Sequence, residues 1–339
     1  MTVRFSTALT RLCSASVLSI GLSAATGAWA DDPVTLTLYN GQHEATGVAV
    51  AEAFEKKTGI KVQIRKGGGG QLANQIAEEG SRSPADLIYT EEAPPLIKLA
   101  NQGLLAKVDD ATLAQIDPQF SDKNGNWLGI TARVRVMAYN PKEISEQDLP
   151  ASVLDVAGPE WSGKIGFVPS SGEFLGQVAA IIKLNGREAA EDWLTGLKAF
   201  GATYTNNVVA MKAVENGEIS AALINSYYWA ALKKEKGELN TKLYYFDNGD
   251  AGGLVSVSGA AVVKASKHPK EAQQFLEFMV SEEGQKAILS KSAEYPMNSN
   301  VPVDPLLKPY SELRPPKLTA SDIGLAEDAL ELEREVGLN

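Results

Sequence analysis

Two adjacent phenols, Tyr227 and Tyr228, stand just beyond an apolar run, Ala221-Ala222-Leu223-Ile224, in the segment AALINSYYWA. The apolar run reads as a short buried strand, closed by polar Asn225 and Ser226. In a continuing strand the two rings would point to opposite faces. If a helix starts at Ser226, a residue suited to an N-cap, both rings can lean into one space beyond the strand end. A buried tyrosine ordinarily needs one partner for its hydroxyl, so two phenol oxygens together invite a chemical reading. The packing alternative is an aromatic plug, Tyr227-Tyr228-Trp229, filling a core.

Other predicted strands end in polar residues too. Residues 34–39 (VTLTLY) lead to His43, and 85–90 (ADLIYT) to Glu91 and Glu92. Residues 164–169 lead to Ser171 and Gly172, 201–205 to Asn207, and 221–224 to Asn225 and the two tyrosines. In open α/β sheets ligands bind beyond the carboxyl ends of the strands, so these groups converge on one cleft. Most are hard oxygen donors, which suit a hard, highly charged cation. Phenolate binds oxidised iron in some haem proteins. A trivalent ion would favour loss of both phenol protons, and two phenolates with one carboxylate balance its charge. Zinc would want more His or Cys than His43 and His268 supply. Calcium would want carboxylates and carbonyls without phenols. Taken singly, His43 reads as a loop hydrogen-bonder, Glu91-Glu92 as a solvated helix start and Ser171-Gly172 as a helix cap. Their joint placement at strand ends is the stronger signal.

The elements that must position these groups alternate strand and helix, which predicts an α/β architecture with a mostly parallel sheet covered on both faces. Four glycines at 67–70 precede a helix at 71–79 but lack the Gly-Lys-Ser/Thr of a phosphate loop, so they read as a flexible loop. Residues 127–140 (WLGITARVRVMAYN) are long for one strand and change midway from apolar to alternating with Arg, as a strand passing between two lobes would. Residues 254–264 read as a second crossing. Residues 269–289 read as one long amphipathic helix, 318–336 as another, and 331–335 as a solvated helix face.

At 339 residues two lobes are expected. The net charge of −10, with no basic cluster, argues against nucleic acid as a partner. Residues 1–30 carry Arg4 and Arg11, an apolar stretch and a closing Ala28-Trp29-Ala30, the pattern of a cleaved signal peptide. The only cysteine, Cys13, leaves with it, so the mature chain has no disulfide and no sulfur metal site. An exported, soluble, periplasmic protein is expected.

The blocks YNGQH, PADLIYTEE, SVLDVAGPEWSGKIGFVPSSGEF, AVENGE, AALINSYYW, SGAAVVKASK and AEYP occur in this order along the mature chain. With them the chain resembles the periplasmic ferric-ion-binding proteins that feed bacterial ABC importers. The resemblance implies a two-lobed type II periplasmic-binding-protein fold, with the ligand cleft between lobes joined by two crossing strands. The N-terminal lobe would comprise 31–133 and 258–300, the C-terminal lobe 134–257 and 301–339. The family's iron ligands fall on His43, Glu91, Tyr227 and Tyr228. Its synergistic anion (phosphate, carbonate or citrate) would be held by Ser171, the backbone of Gly172 and Glu173, Asn207 and Asn225. Two positions depart from the family pattern. Glu92 stands next to the ligand set where Gln is common, and Glu173 where a small residue is usual. The resemblance further implies a monomer that is not an enzyme and that delivers Fe3+ to an inner-membrane ABC permease. The alternative is a binding protein for a small organic or anionic solute, with the tyrosines stacking on it. A hydrolase is disfavoured, because G-x-S-x-G and H-E-x-x-H are both absent.

Overall fold

The computed structural model describes residues 34–338. The expected leader at 1–30, with Cys13, lies outside the described residues. The chain opens as β1 (Thr35–Gly41), α1 (Glu44–Thr58), β2 (Lys61–Lys66), α2 (Gly69–Glu79), β3 (Leu87–Thr90), α3 (Pro94–Asn101) and α4 (Asp110–Leu113). It continues as β4 (Leu128–Tyr139), β5 (Ile165–Phe167), α5 (Gly172–Asn185), α6 (Arg187–Phe200), β6 (Ala202–Thr203) and α7 (Asn207–Glu215). Then come β7 (Ala221–Asn225), α8 (Ser226–Lys236), β8 (Lys242–Tyr244), β9 (Val255–Val262), α9 (Pro269–Val280) and α10 (Glu282–Leu289). The last elements are β10 (Tyr295–Pro296), α11 (Ala320–Ile323) and α12 (Glu327–Val336).

The strands follow the order β2-β1-β3-β9-β4-β7-β5-β6. At one flank β1 is parallel to β2 and β3, and at the other β5 is parallel to β6 and β7. The middle is antiparallel: β9 runs against β3 and β4, and β4 against β7. The mostly parallel sheet expected from the alternation therefore holds only within the flanks, because a strand that returns between lobes runs opposite to one that leaves. β4 is the passing strand. Its residues 128–134 pair with β9, and 135–139 pair with β7 and β8. Two α/β lobes thus share it, which is the type II periplasmic-binding-protein arrangement.

All twelve residues of β4 are buried, so its charged members must find partners inside. Alternation places Thr131, Arg133 and Arg135 on one face. One core cluster packs Leu36, Leu38 and Phe54 against Phe275 and Phe278. A second gathers Phe167, Phe174, Trp193 and Leu197. Burying each such side chain stabilises by roughly 1.5–3 kcal/mol.

Several boundaries differ from the sequence expectation. Asn225, in extended conformation, is the residue before α8, and Ser226 is already helical. The glycine stretch is shorter as a loop than expected, since α2 begins at Gly69. The helix expected over 269–289 is two helices. Ser281 turns extended (φ −66°, ψ 160°) between them, and its hydroxyl accepts the Gly284 N–H at 3.2 Å, capping α10. The helix expected over 318–336 is also broken, by Ala326 at φ 55°. Within 331–335, Leu332 and Glu333 are fully buried, so that stretch is not a wholly solvated face.

Candidate metal centre

Where β1 ends, the chain turns through Gln42 into α1, and His43 is the residue before the helix. The His43 backbone N–H donates to Gln42 Oε1 at 2.8 Å, which fixes the ring's approach to the cleft. His43 Nδ1 lies 3.0 Å from Glu91 Oε1, with the two side chains 43% and 31% exposed. Tyr227 and Tyr228 occupy the first turn of α8, with ring centroids 4.1 Å apart at 34°. Tyr227 also presents its ring edge-to-face with His43, at 6.1 Å and 67°. An imidazole, a carboxylate and two phenols thus come together from both lobes.

Beside them lies a carboxylate cluster, half-buried at Glu91 and Glu92 and buried at Glu173. Glu91, Glu92 and Glu173 each offer a carboxylate oxygen within 4.8 Å of the others, an arrangement able to hold a metal ion. Glu173 sits in the first turn of α5, where the helix dipole favours an acid. Its Oε1 accepts the Asn225 amide at 3.2 Å and the Tyr227 hydroxyl at 3.4 Å. Arg133 donates from Nε and Nη2 to Glu294 Oε1, both at 3.2 Å, from Nη2 to Gln42 Oε1 at 3.0 Å, and from Nη1 to the Glu91 carbonyl at 2.8 Å. Its guanidinium also lies 5.6 Å from the Tyr227 ring centroid. Arg135 donates to Gln177 Oε1 at 3.0 Å and to Asn225 Oδ1 at 3.5 Å.

Burial dominates the proton affinities. It pushes the Tyr227 phenol well above its ordinary value, with Arg133 opposing, and Tyr228 up to about 12, reinforced by Glu173. Burial also raises Glu91 against the pull of Arg133 and His43. Burial and then the Glu173 charge push Glu92 up to about 8. Arg133 is held firmly protonated: burial opposes its charge, but Glu294, Tyr227 and Glu173 outweigh burial. Burial lowers Arg135 to about 10, against Glu173. Without a cation, then, both phenols keep their protons. A trivalent ion bound there would supply the charge to displace them.

Of the residues singled out in the sequence, His43, Glu91, Glu92, Gly172, Glu173, Asn225, Tyr227 and Tyr228 meet here. Ser171 is engaged as a helix cap, donating to the Val168 carbonyl at 3.1 Å and accepting the Phe174 N–H at 3.2 Å. Asn207 is buried at the start of α7, and its Oδ1 has no hydrogen-bond partner among the described residues. Sequence reasoning missed Gln42, Arg133, Arg135 and Glu294, and took Glu173 only for its backbone. The Arg-x-Arg alternation was the available signal for the arginines. Cavities of about 380 and 400 Å³ flank the centre. The first is lined by His43, Glu91 and Glu92, the second by His43, Tyr227 and Tyr228.

Residues 40–286 match the family described as bacterial extracellular solute-binding proteins. The major ferric iron-binding protein of Neisseria meningitidis serogroup B is 45% identical over 329 residues, covering 95% of this chain and 98% of that one. Iron-bound HitA from Pseudomonas aeruginosa has a similar structure, with a TM-score of 0.87 and 69% identity, covering 90% of this chain and 100% of that one. A Trichodesmium chain solved in complex with iron and citrate matches with a TM-score of 0.79 and 31% identity, covering 90% and 100%. The chain belongs to the bacterial extracellular solute-binding proteins and, within them, to the family of periplasmic ferric-ion-binding proteins.

Proposed function

We propose that this protein captures Fe3+ in its interlobe cleft through His43, Glu91, Tyr227 and Tyr228 and delivers it, as a periplasmic monomer, to an inner-membrane ABC permease. The observation that carries the reading is that two adjacent phenols, tilted 34° to each other, face the His43–Glu91 contact. Ferric ion is hard and triply charged, and phenolate and carboxylate oxygens are its preferred partners. His43 turns Nδ1 to Glu91, which leaves Nε2 for the metal. An additional anion at Ser171, the backbone of Gly172 and Glu173, Asn207 and Asn225 is the family expectation, and the carboxylate cluster of Glu91, Glu92 and Glu173 bears directly on it. Stacking of the tyrosines on an organic solute finds less support, since relatives at 38–69% identity are named for iron and those named for organic solutes are only 21–25% identical. The iron relatives are named for binding ferric iron, which fits a carrier.

The test is a ferric titration of the iron-stripped protein, followed by visible absorption, beside the double variant Tyr227→Phe, Tyr228→Phe. A saturable phenolate–iron band is expected in the parent and none in the variant. A band that survives in the variant, or none in the parent, would refute the assignment.

A further inference from the structure

This inference rests on the ferric reading above and concerns the source of the site's anion. Asn225, fully buried at the end of β7, gives its Nδ2 to Glu173 Oε1 at 3.2 Å. The Tyr227 hydroxyl donates to the same oxygen at 3.4 Å, and Arg133 Nη1 stands 4.0 Å away. The carboxylate of Glu92 lies against Gly172 and fills the space a Cβ there would need. Gly172 is the first residue of α5, where helix N–H groups lack intrahelical partners and attract negative charge. A free anion in this cleft would call on two things, the Asn225 amide and the N-terminus of α5. Carboxylates of the chain itself already occupy both.

We propose that Glu173 and Glu92 together are the anion of this site, so that ferric ion is held without phosphate, carbonate or citrate. Charge points the same way. Three carboxylates and two phenolates already offset one ferric ion and two buried arginines, with Arg133 also shared by Glu294. A free dianion would enter a site with no positive charge left over. The hydrogen-bond donors would have to leave Glu173, stranding a buried carboxylate.

Synergy between an anion and iron is a coupling of two binding events, so it is read as the effect of one on the affinity of the other. The whole iron-free chain is loaded from ferrous chloride with carbon-dioxide-free oxygen, with and without excess phosphate, then with carbonate and citrate in turn. The readouts are the phenolate–iron band and the phosphorus-to-iron ratio of the desalted product. The band is expected under every condition, with iron affinity changing less than about twofold on adding phosphate and no phosphate retained. In the double variant Glu92→Gln, Glu173→Ala, iron affinity should fall about 100-fold without phosphate and recover with it. A parent that forms the band only with a free anion, or retains a phosphate for each iron, overturns this inference and leaves the ferric reading standing. So does a folded double variant as indifferent to phosphate as the parent. No band in the parent under any condition overturns both readings. If the double variant does not fold, the parent's phosphorus-to-iron ratio decides.

Discussion

Tyr227 and Tyr228 hold their protons in the iron-free protein, because burial raises the first well above its ordinary value and the second to about 12. If both phenols ligate iron as phenolates and Glu92, raised to about 8, serves as a carboxylate beside it, capture at neutral pH must release all three protons. Apparent iron affinity should therefore fall about 1,000-fold for each unit of acidification near neutral pH, a slope of three protons that competition with a chelator at several pH values would measure. A slope near zero would mean that the phenols are not ligands. Glu92 carries a separate pH signature. Its folded value of about 8 exceeds the ordinary 4.5, so between those values the native state binds more protons than the unfolded one. Stability of the iron-free protein then falls as pH rises through that window, by about 1.4 kcal/mol for each pH unit. Glu92→Gln should flatten the dependence in urea unfolding, and an unchanged slope would show that Glu92 is not its source. That His43, Glu91 and the tyrosines meet was legible because each follows a strand end. Glu294 was not, because its partner Arg133 lies 161 residues away and no local pattern encodes that contact.

β4 is the element that joins these residues to the fold. Buried along its whole length, it carries Arg133 into contact with Glu294, Gln42 and the Glu91 carbonyl. Removing one partner of a buried ion pair leaves the other charge uncompensated. Arg133→Ala should thus cost about 3–5 kcal/mol in chemical denaturation, while Arg133→Met with Glu294→Leu should recover much of it. A single-variant loss below about 1 kcal/mol, as for an exposed pair, would contradict the buried network. The strand's length and its change of character at the Arg-x-Arg segment were readable in the sequence. The break at Ser281 was not, because the apolar period runs on through α9 and α10 and only the serine's capping bond reveals it. The short strands β8 and β10 escaped notice for a related reason. With three and two residues, they are defined by pairing to β4 rather than by any pattern of their own.

For the molecule as a whole, the cleft lies where β4 and β9 join two α/β lobes, so the proposed ligands come from both lobes. An ion that binds only the folded protein stabilises it by mass action, by about 4 kcal/mol at a thousand times its dissociation constant. Stripping iron should therefore lower the urea midpoint markedly in the parent and hardly at all in Tyr227→Phe, Tyr228→Phe. Equal shifts in both would place the ion elsewhere. The two-lobed fold was legible from the alternation of strand and helix, but the antiparallel middle of the sheet was not, since alternation carries no sign of a returning strand. The most direct test is an anomalous-difference map at the iron edge from crystals of the iron-loaded protein. The account predicts one peak within bonding distance of both phenol oxygens, Glu91 and His43 Nε2. A peak held by Glu91, Glu92 and Glu173 with the tyrosines unbound would contradict it.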